Sequence, residues 1–178
     1  MKGELLENRI VVWNIQESRN LFANGYFGKP IGIPKPNVND INVPLILDLI
    51  EGCYLQEISK IKITKNGKKV SLDTLIKICR KEYHNFDKKF QVYKDFREKG
   101  YVINPGIKFG CDFAVYQKGP GIDHAPYLVQ VYNKNDDISS TAVVLAGRLA
   151  SSVKKQFILA IPRDKDKIDY LALDWWRA

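Results

Sequence analysis

The chain has 178 residues, 45% hydrophobic and 27% charged, which excludes a disordered polypeptide and allows one ordinary domain or two small ones sharing a packed interface. A formal net charge of +8 calls for an anionic partner, nucleic acid first among them, although charge alone does not separate RNA from DNA or acidic lipid. The mixed-charge start Met1-Lys-Gly-Glu-Leu-Leu-Glu-Asn-Arg-Ile10 lacks a signal peptide's apolar core, no stretch is long enough to span a bilayer, and Cys53, Cys79 and Cys111 suit neither a disulfide framework nor a zinc cluster, so a cytoplasmic protein with no membrane partner and buried thiols is expected.

Arg9-Ile-Val-Val-Trp13 reads as a strand, and a short helix over Glu17 to Ala23 should end at Asn24-Gly25. Pro30, Pro34, Pro36 and Pro44 mark an irregular stretch, after which Leu45, Leu49, Gly52 and Cys53 fall at helical spacing. Lys60 to Lys65 and Lys68-Lys-Val flank Asn66-Gly67, the dipeptide of a type I′ hairpin turn. Its lysines suit either a phosphate backbone or a solvated face. Helices are expected over Ser71 to Tyr83 and Asp87 to Lys99, the second stopped by Gly100. Strands follow at Lys108 to Gln117 and Tyr127 to Asn133, then a helix at Ser140 to Lys155 and strands at Phe157 to Pro162 and Ile168 to Arg177. The fold class is thus α/β (α+β) with two small domains. A mixed N-terminal domain over residues 1–84 precedes an α/β domain over residues 85–178, whose central mixed sheet is flanked by helices.

Three side chains stand out in the second half. Alternation along the first strand places Phe109, Cys111, Phe113 and Val115 on a core face and turns Asp112, Ala114 and Tyr116 the other way. His124 lies in a loop between the Gly119-Pro120-Gly121 turn and the strand at Tyr127, whereas His84 suits the exposed C-terminal end of a helix. Lys155 closes a helix whose buried side should hold Ala142, Leu145, Ala146, Leu149 and Val153. Arg148 and Lys155, seven apart, would share its other face about 10 Å from each other along the axis. Taken singly, each has an ordinary explanation: a packed tyrosine, a loop histidine, a cation at a helix end.

Taken together, a phenol, an imidazole and an ammonium supply what RNA cleavage needs without a metal or cofactor. The 2′-hydroxyl is the nucleophile, a base takes its proton, an acid protonates the departing 5′-oxygen, and a cation stabilises the phosphorane. A phenol is mostly protonated at neutral pH, and a neighbouring ammonium favours its ionised form, so the division of proton transfers between Tyr116 and His124 stays open. The rival enzyme reading is a metal-dependent nuclease with Asp112 as a ligand, for which the following strand lacks a Glu/Gln-x-Lys partner. The rival outside catalysis is an RNA-binding or structural subunit, for which basic charge would suffice.

Phe109-Gly-Cys-Asp-Phe with Tyr116, Gly119-Pro120, His124 before Tyr127-Leu-Val, and Arg148 with Ser152-Val-Lys-Lys155 resemble the archaeal tRNA-splicing endonucleases. A weaker likeness covers Asn24-Gly-Tyr-Phe-Gly-Lys-Pro-Ile-Gly32. The resemblance implies a Tyr116, His124, Lys155 triad acting on precursor tRNA at bulge-helix-bulge motifs, with a nuclease-like C-terminal domain. It also implies substrate-clamping cations, here Arg148 and Arg177, and a loop whose Asp136 and Asp137 contact a neighbouring subunit. A second subunit is therefore expected. Gly28-Lys-Pro-Ile-Gly32 looks like the catalytic subunits of the heterotetrameric branch, with a homotetramer as the other form. The chain differs from that branch in having no lysine in Asn37-Val-Asn-Asp-Ile-Asn42, where Lys35 is the nearest replacement, and in carrying Ser151 where a histidine is frequent.

Overall fold

The computed structural model describes residues 1–34, 36–37, 41–122, 124–163 and 167–173. Lys35 and Arg177, both singled out above, lie outside the described residues. The chain divides into two units, Met1–Phe86 and Asp87–Ala178.

In the first unit, β1 (Lys2–Leu6) and β2 (Arg9–Val12) form an antiparallel hairpin, and α1 (Ile15–Ala23) starts where the Asn14 side chain accepts from the Glu17 amide. The strands β3 (Lys29–Pro30) and β4 (Leu45–Leu47) extend the sheet, and α2 (Leu49–Glu57) follows at once. The strands β5 (Lys62–Lys65) and β6 (Lys68–Lys69) turn at Asn66 and Gly67, whose φ angles of 50 and 74° suit the hairpin expected there. Helix α3 (Leu72–Glu82) is capped by Ser71. The mixed sheet runs β3-β4-β2-β1-β5-β6, with β1 and β5 parallel.

Leu45 and Leu49 do not share one helix, as their spacing suggested. Leu45-Ile-Leu47 pairs with β2, because a short apolar run suits a buried strand as well as a helix. What fixes the helix start is Asp48, which accepts from the Ile50 amide while Glu51 accepts from the Asp48 amide. Glu51 also accepts from Gly28 N at 2.9 Å, tying the Gly28–Gly32 segment to this cap. A Cβ on Gly52 would overlap the end of the Ile10 side chain, so glycine lets α2 press onto the sheet without displacing Ile10. Cys53 and Cys79 meet there as free, buried thiols.

The second unit is a three-layer α/β/α arrangement. Helix α4 (Phe86–Glu98) leads to β7 (Val102–Pro105), a 3-10 turn (Ile107–Phe109), β8 (Phe113–Tyr116) and β9 (Tyr127–Val131). Helix α5 (Ser140–Ser152) then connects to β10 (Gln156–Pro162) and β11 (Ile168–Leu173). The sheet order is β11-β10-β9-β8-β7, antiparallel except for the β9–β10 pair that α5 links. On one face, Tyr93 of α4 packs on Phe113 and Phe96 on Tyr170, with ring centroids 6.1 and 5.2 Å apart. On the other, Ala114, Leu128, Phe157 and Leu159 cluster with Ala150 of α5. Among the described residues no helix is long and apolar enough to cross a membrane.

Three expectations for this unit are corrected. The strand read from Lys108 begins only at Phe113, after the 3-10 turn, and the short β7 before it carried too little pattern to be read. Phe113, Ala114 and Val115 are all buried, because helices cover both faces of the sheet, so alternation along β8 does not mark a solvent side, and Cys111 belongs with Ala114 and Tyr116 rather than with a separate core face. Finally, α5 ends at Ser152 and buries Ala150 with Ala146 partly covered, while Leu145, Leu149 and Val153 are exposed.

Candidate active site

Strand register gathers the three triad candidates at one end of the C-terminal sheet. Val115 of β8 pairs with Tyr127 of β9, and Tyr127 pairs with Gln156 of β10. Tyr116 is the residue after the first of these, His124 lies three before the second, and Lys155 directly precedes the third. They therefore lie at the same end of the three central strands.

Each is held differently. Tyr116 ends β8 half-buried against the cluster of Cys111, Ala114, Ala125 and Ala150, so its ring is fixed by packing. Lys155 is half-buried, and its Nζ donates to the carbonyl oxygen of Ala125 at 2.5 Å and lies 5.6 Å from the Phe109 ring centroid. Gln156 N also donates to Pro126 O at 2.8 Å, which fastens the start of β10 to the end of the loop. Ala125 is the neighbour of His124, so the ammonium is pinned to the backbone that carries the imidazole. His124 itself is exposed.

The loop between β8 and β9 begins with a glycine turn. Gly119 and Gly121 take φ angles of 132 and 90°, positions that strain residues with a side chain, and Ile122 N closes a turn onto Gly119 O at 3.1 Å. Ala125 is buried at the far side of the tip. This leaves His124 presented to solvent between two fixed points.

The helical relation between Arg148 and Lys155 does not hold. Lys155 follows the C-terminus of α5, after Lys154 at φ 54°, and its amide returns to Ala150 O at 2.8 Å. Arg148 remains on α5 and is exposed. The left-handed Lys154 redirects the chain, so Lys155 owes its position to the turn and β10 rather than to a helix face.

Asp112 is committed to structure. Its carboxylate accepts from Val131 N and Gln130 Nε2, each at 2.8 Å, and pairs with Lys89 Nζ at 2.7 Å. Burial first, then the charge of Asp112, pushes the neighbouring Cys111 thiol up to about 11. At neutral pH that thiol is protonated and has little nucleophilic character. Beyond β9, Asp136 accepts from Asn133 N at 2.7 Å and folds its own turn, with the exposed Asp137 beside it.

Two parts of the site were not identified from sequence. Phe109, read only as core, lies beneath the Lys155 ammonium, and the Ala125 carbonyl orients that ammonium. The aromatic in Lys108-Phe-Gly gave a signal for the first; a backbone acceptor leaves none in a sequence.

Comparison with known proteins gives two matching families of domain. The catalytic C-terminal domain of tRNA intron endonuclease matches residues 86–170, and the N-terminal domain of tRNA intron endonuclease matches residues 1–76. Among curated proteins, the chain is similar to proteins named tRNA-splicing endonuclease from Sulfurisphaera tokodaii (45% identity), Hyperthermus butylicus (42%) and Pyrobaculum islandicum (41%). Each alignment covers 98% of this chain and 98% of the relative.

Proposed function

The chain belongs to the tRNA intron endonuclease family, and from that premise we propose that it cleaves precursor tRNA at intron boundaries presented as bulge-helix-bulge motifs, with Tyr116, His124 and Lys155 carrying the chemistry. The observation that bears most weight is the Val115–Tyr127–Gln156 register, with Lys155 bonded to the residue next to His124. Tyr116, in its ionised form, takes the proton of the 2′-hydroxyl as the 2′-oxygen forms a bond to phosphorus. Lys155 stabilises the phosphorane charge. The bond from phosphorus to the 5′-oxygen breaks, and protonated His124 supplies a proton to that oxygen. The products are a 2′,3′-cyclic phosphate and a 5′-hydroxyl, and no cofactor takes part.

Half-buried Tyr116 and exposed His124 both keep access to water, which suits this division, because between turnovers the phenol must release the proton it took and the imidazole must regain the one it gave. Arg148 and Arg177 are proposed to clamp the substrate, and Asp136 and Asp137 to contact a second subunit. The assembly proposed is a heterotetramer of two catalytic and two structural subunits. The metal-dependent reading is disfavoured because its candidate ligand, Asp112, is already engaged by Lys89, Val131 and Gln130.

Solution mass and cleavage of a bulge-helix-bulge RNA, measured with the chain alone and with a candidate partner, test this function and assembly. A chain that cuts at both intron boundaries only as a mixed tetramer is the expected result. A fully active homotetramer would contradict the assembly, and intact RNA in every mixture would contradict the function.

A further inference from the structure

The outer face of the N-terminal sheet carries positive charge that the cleavage site does not use. Register places Lys29, Ile46, Val11, Glu4, Thr64 and Lys69 in one row across all six strands, on the face opposite buried Leu5, Ile10 and Ile63; Val11 in this row is itself buried, so the open part used here lies over β1, β5 and β6. Two residues along the same face, Lys2 of β1 lies directly opposite Lys62 of β5. Lys2, Lys62 and Lys69 are all exposed, and their three consecutive strands span about 10 Å. Like charges directly opposite each other weaken a sheet, so the Lys2–Lys62 pair opposes stability rather than serving it.

An aromatic surface lies beside these cations. Trp13 follows β2, is 53% exposed, and its Nε1 donates to Glu4 at 2.7 Å. Its one polar atom is thus satisfied while part of the indole stays open to solvent. Two carboxylates lie nearby, Glu4 accepting from this indole and Glu17 from the backbone amide of Lys2; these neutral donors orient them without cancelling their charge, so the anion-binding part of the face is the lysines of β5 and β6 with Lys2.

We propose that this face is an RNA-binding platform, with Lys2, Lys62 and Lys69 taking backbone phosphates and Trp13 stacking an unpaired base outside the cut. The identity of the RNA rests on the precursor-tRNA reading above; the platform itself rests on charge complementarity and the exposed indole. Lysines on strands fix positions along a phosphate backbone without reading sequence, so the platform adds affinity and orientation rather than choosing the bond that breaks.

The test uses the full chain and a fluorescently labelled bulge-helix-bulge RNA with 2′-deoxy residues at the cut sites, titrated by anisotropy over a series of KCl concentrations. The triple variant K2Q/K62Q/K69Q should lower the slope of log affinity against log salt by about 2 to 3, from roughly 0.7 to 0.9 per lost contact. Trp13→Ala should weaken binding about 5- to 100-fold with the slope kept, and Trp13→Phe should restore most of it. A triple variant with the wild-type slope would overturn the proposal, as would tight binding to phosphatidylglycerol vesicles in place of the RNA. A melting midpoint equal to or above wild type is expected of the triple variant, and a clear fall would reassign the lysines to stability. Wild-type chain that binds the blocked RNA on these lysines yet never cuts its 2′-hydroxyl counterpart, even when mixed with its partner subunit, would retire the cleavage reading and leave the platform standing.

Discussion

The turn after α5 places Lys155, and a bond that no side-chain pattern encodes orients its ammonium. Its ammonium has three donors, and giving one to Ala125 O fixes its direction while keeping the full charge for a phosphate. Lys155→Ala is predicted to lower the single-turnover cleavage rate by about 10²- to 10³-fold, and His124→Ala by about 10²- to 10⁴-fold. Because His124 is exposed, its variant should melt with wild type, and a rate within twofold of wild type would refute its role as acid. Asp48 offers a stability prediction of another kind. Burial, only partly offset by the Ile50 amide and Arg9, holds its carboxyl above the ordinary value of 3.8. Its folded pKa therefore exceeds its unfolded one, and its contribution is present at low pH and lost as pH rises through the folded value. Asp48→Asn, which keeps an acceptor for the Ile50 amide, should gain stability relative to wild type between pH 4 and pH 7 in urea unfolding. An opposite trend would show that the pairing with Arg9 outweighs burial.

At the scale of elements, the legible parts were those whose signal is local. Asn66-Gly67 announced the β5–β6 hairpin, and the spacing of Gly119-Pro120-Gly121, His124 and Tyr127 announced the loop between β8 and β9. What was hidden depended on partners distant in sequence. β1 contains Gly3, an unfavourable strand residue until Ile10 and Ile61 are brought against it, since a Cβ there would lie 2.7 Å from Ile10 Cγ2. The end of α5 was hidden for a related reason: apolar Leu145, Leu149 and Val153 extend a helical pattern, but small Ala150 makes the sheet contact and Lys154 turns the chain out of the helix. The three candidate residues stood out because their types are chemically informative, whereas the register that brings them to one end of the sheet depends on β9–β10 pairing across a whole helix. The loop can be tested as an element. Gly121→Val forces a β-branched side chain to φ near 90°, and the strain should displace the tip carrying His124. A cleavage loss of at least tenfold, with a melting midpoint lowered by only a few degrees, is the expected outcome; unchanged cleavage would show that the tip tolerates displacement.

The whole molecule pairs two kinds of organisation in 178 residues. Residues 1–76 match the N-terminal domain of the family and residues 86–170 its catalytic domain, so the net charge of +8 is spread over a chain with both. In the C-terminal unit one end of the central strands collects a phenol, an imidazole and an ammonium, and in the N-terminal unit one sheet face carries lysines beside an indole. In the proposed reaction the RNA supplies its own nucleophile and the protein's side chains supply the proton transfers. The sharpest test incubates the chain and its partner with two bulge-helix-bulge RNAs in excess EDTA, one unmodified and one with 2′-deoxy residues at the cut sites. Cleavage of the unmodified RNA to 2′,3′-cyclic phosphate and 5′-hydroxyl ends, with the 2′-deoxy RNA left intact, is the expected result. Cleavage of the 2′-deoxy RNA, or activity that vanishes in EDTA and returns with magnesium, would contradict it.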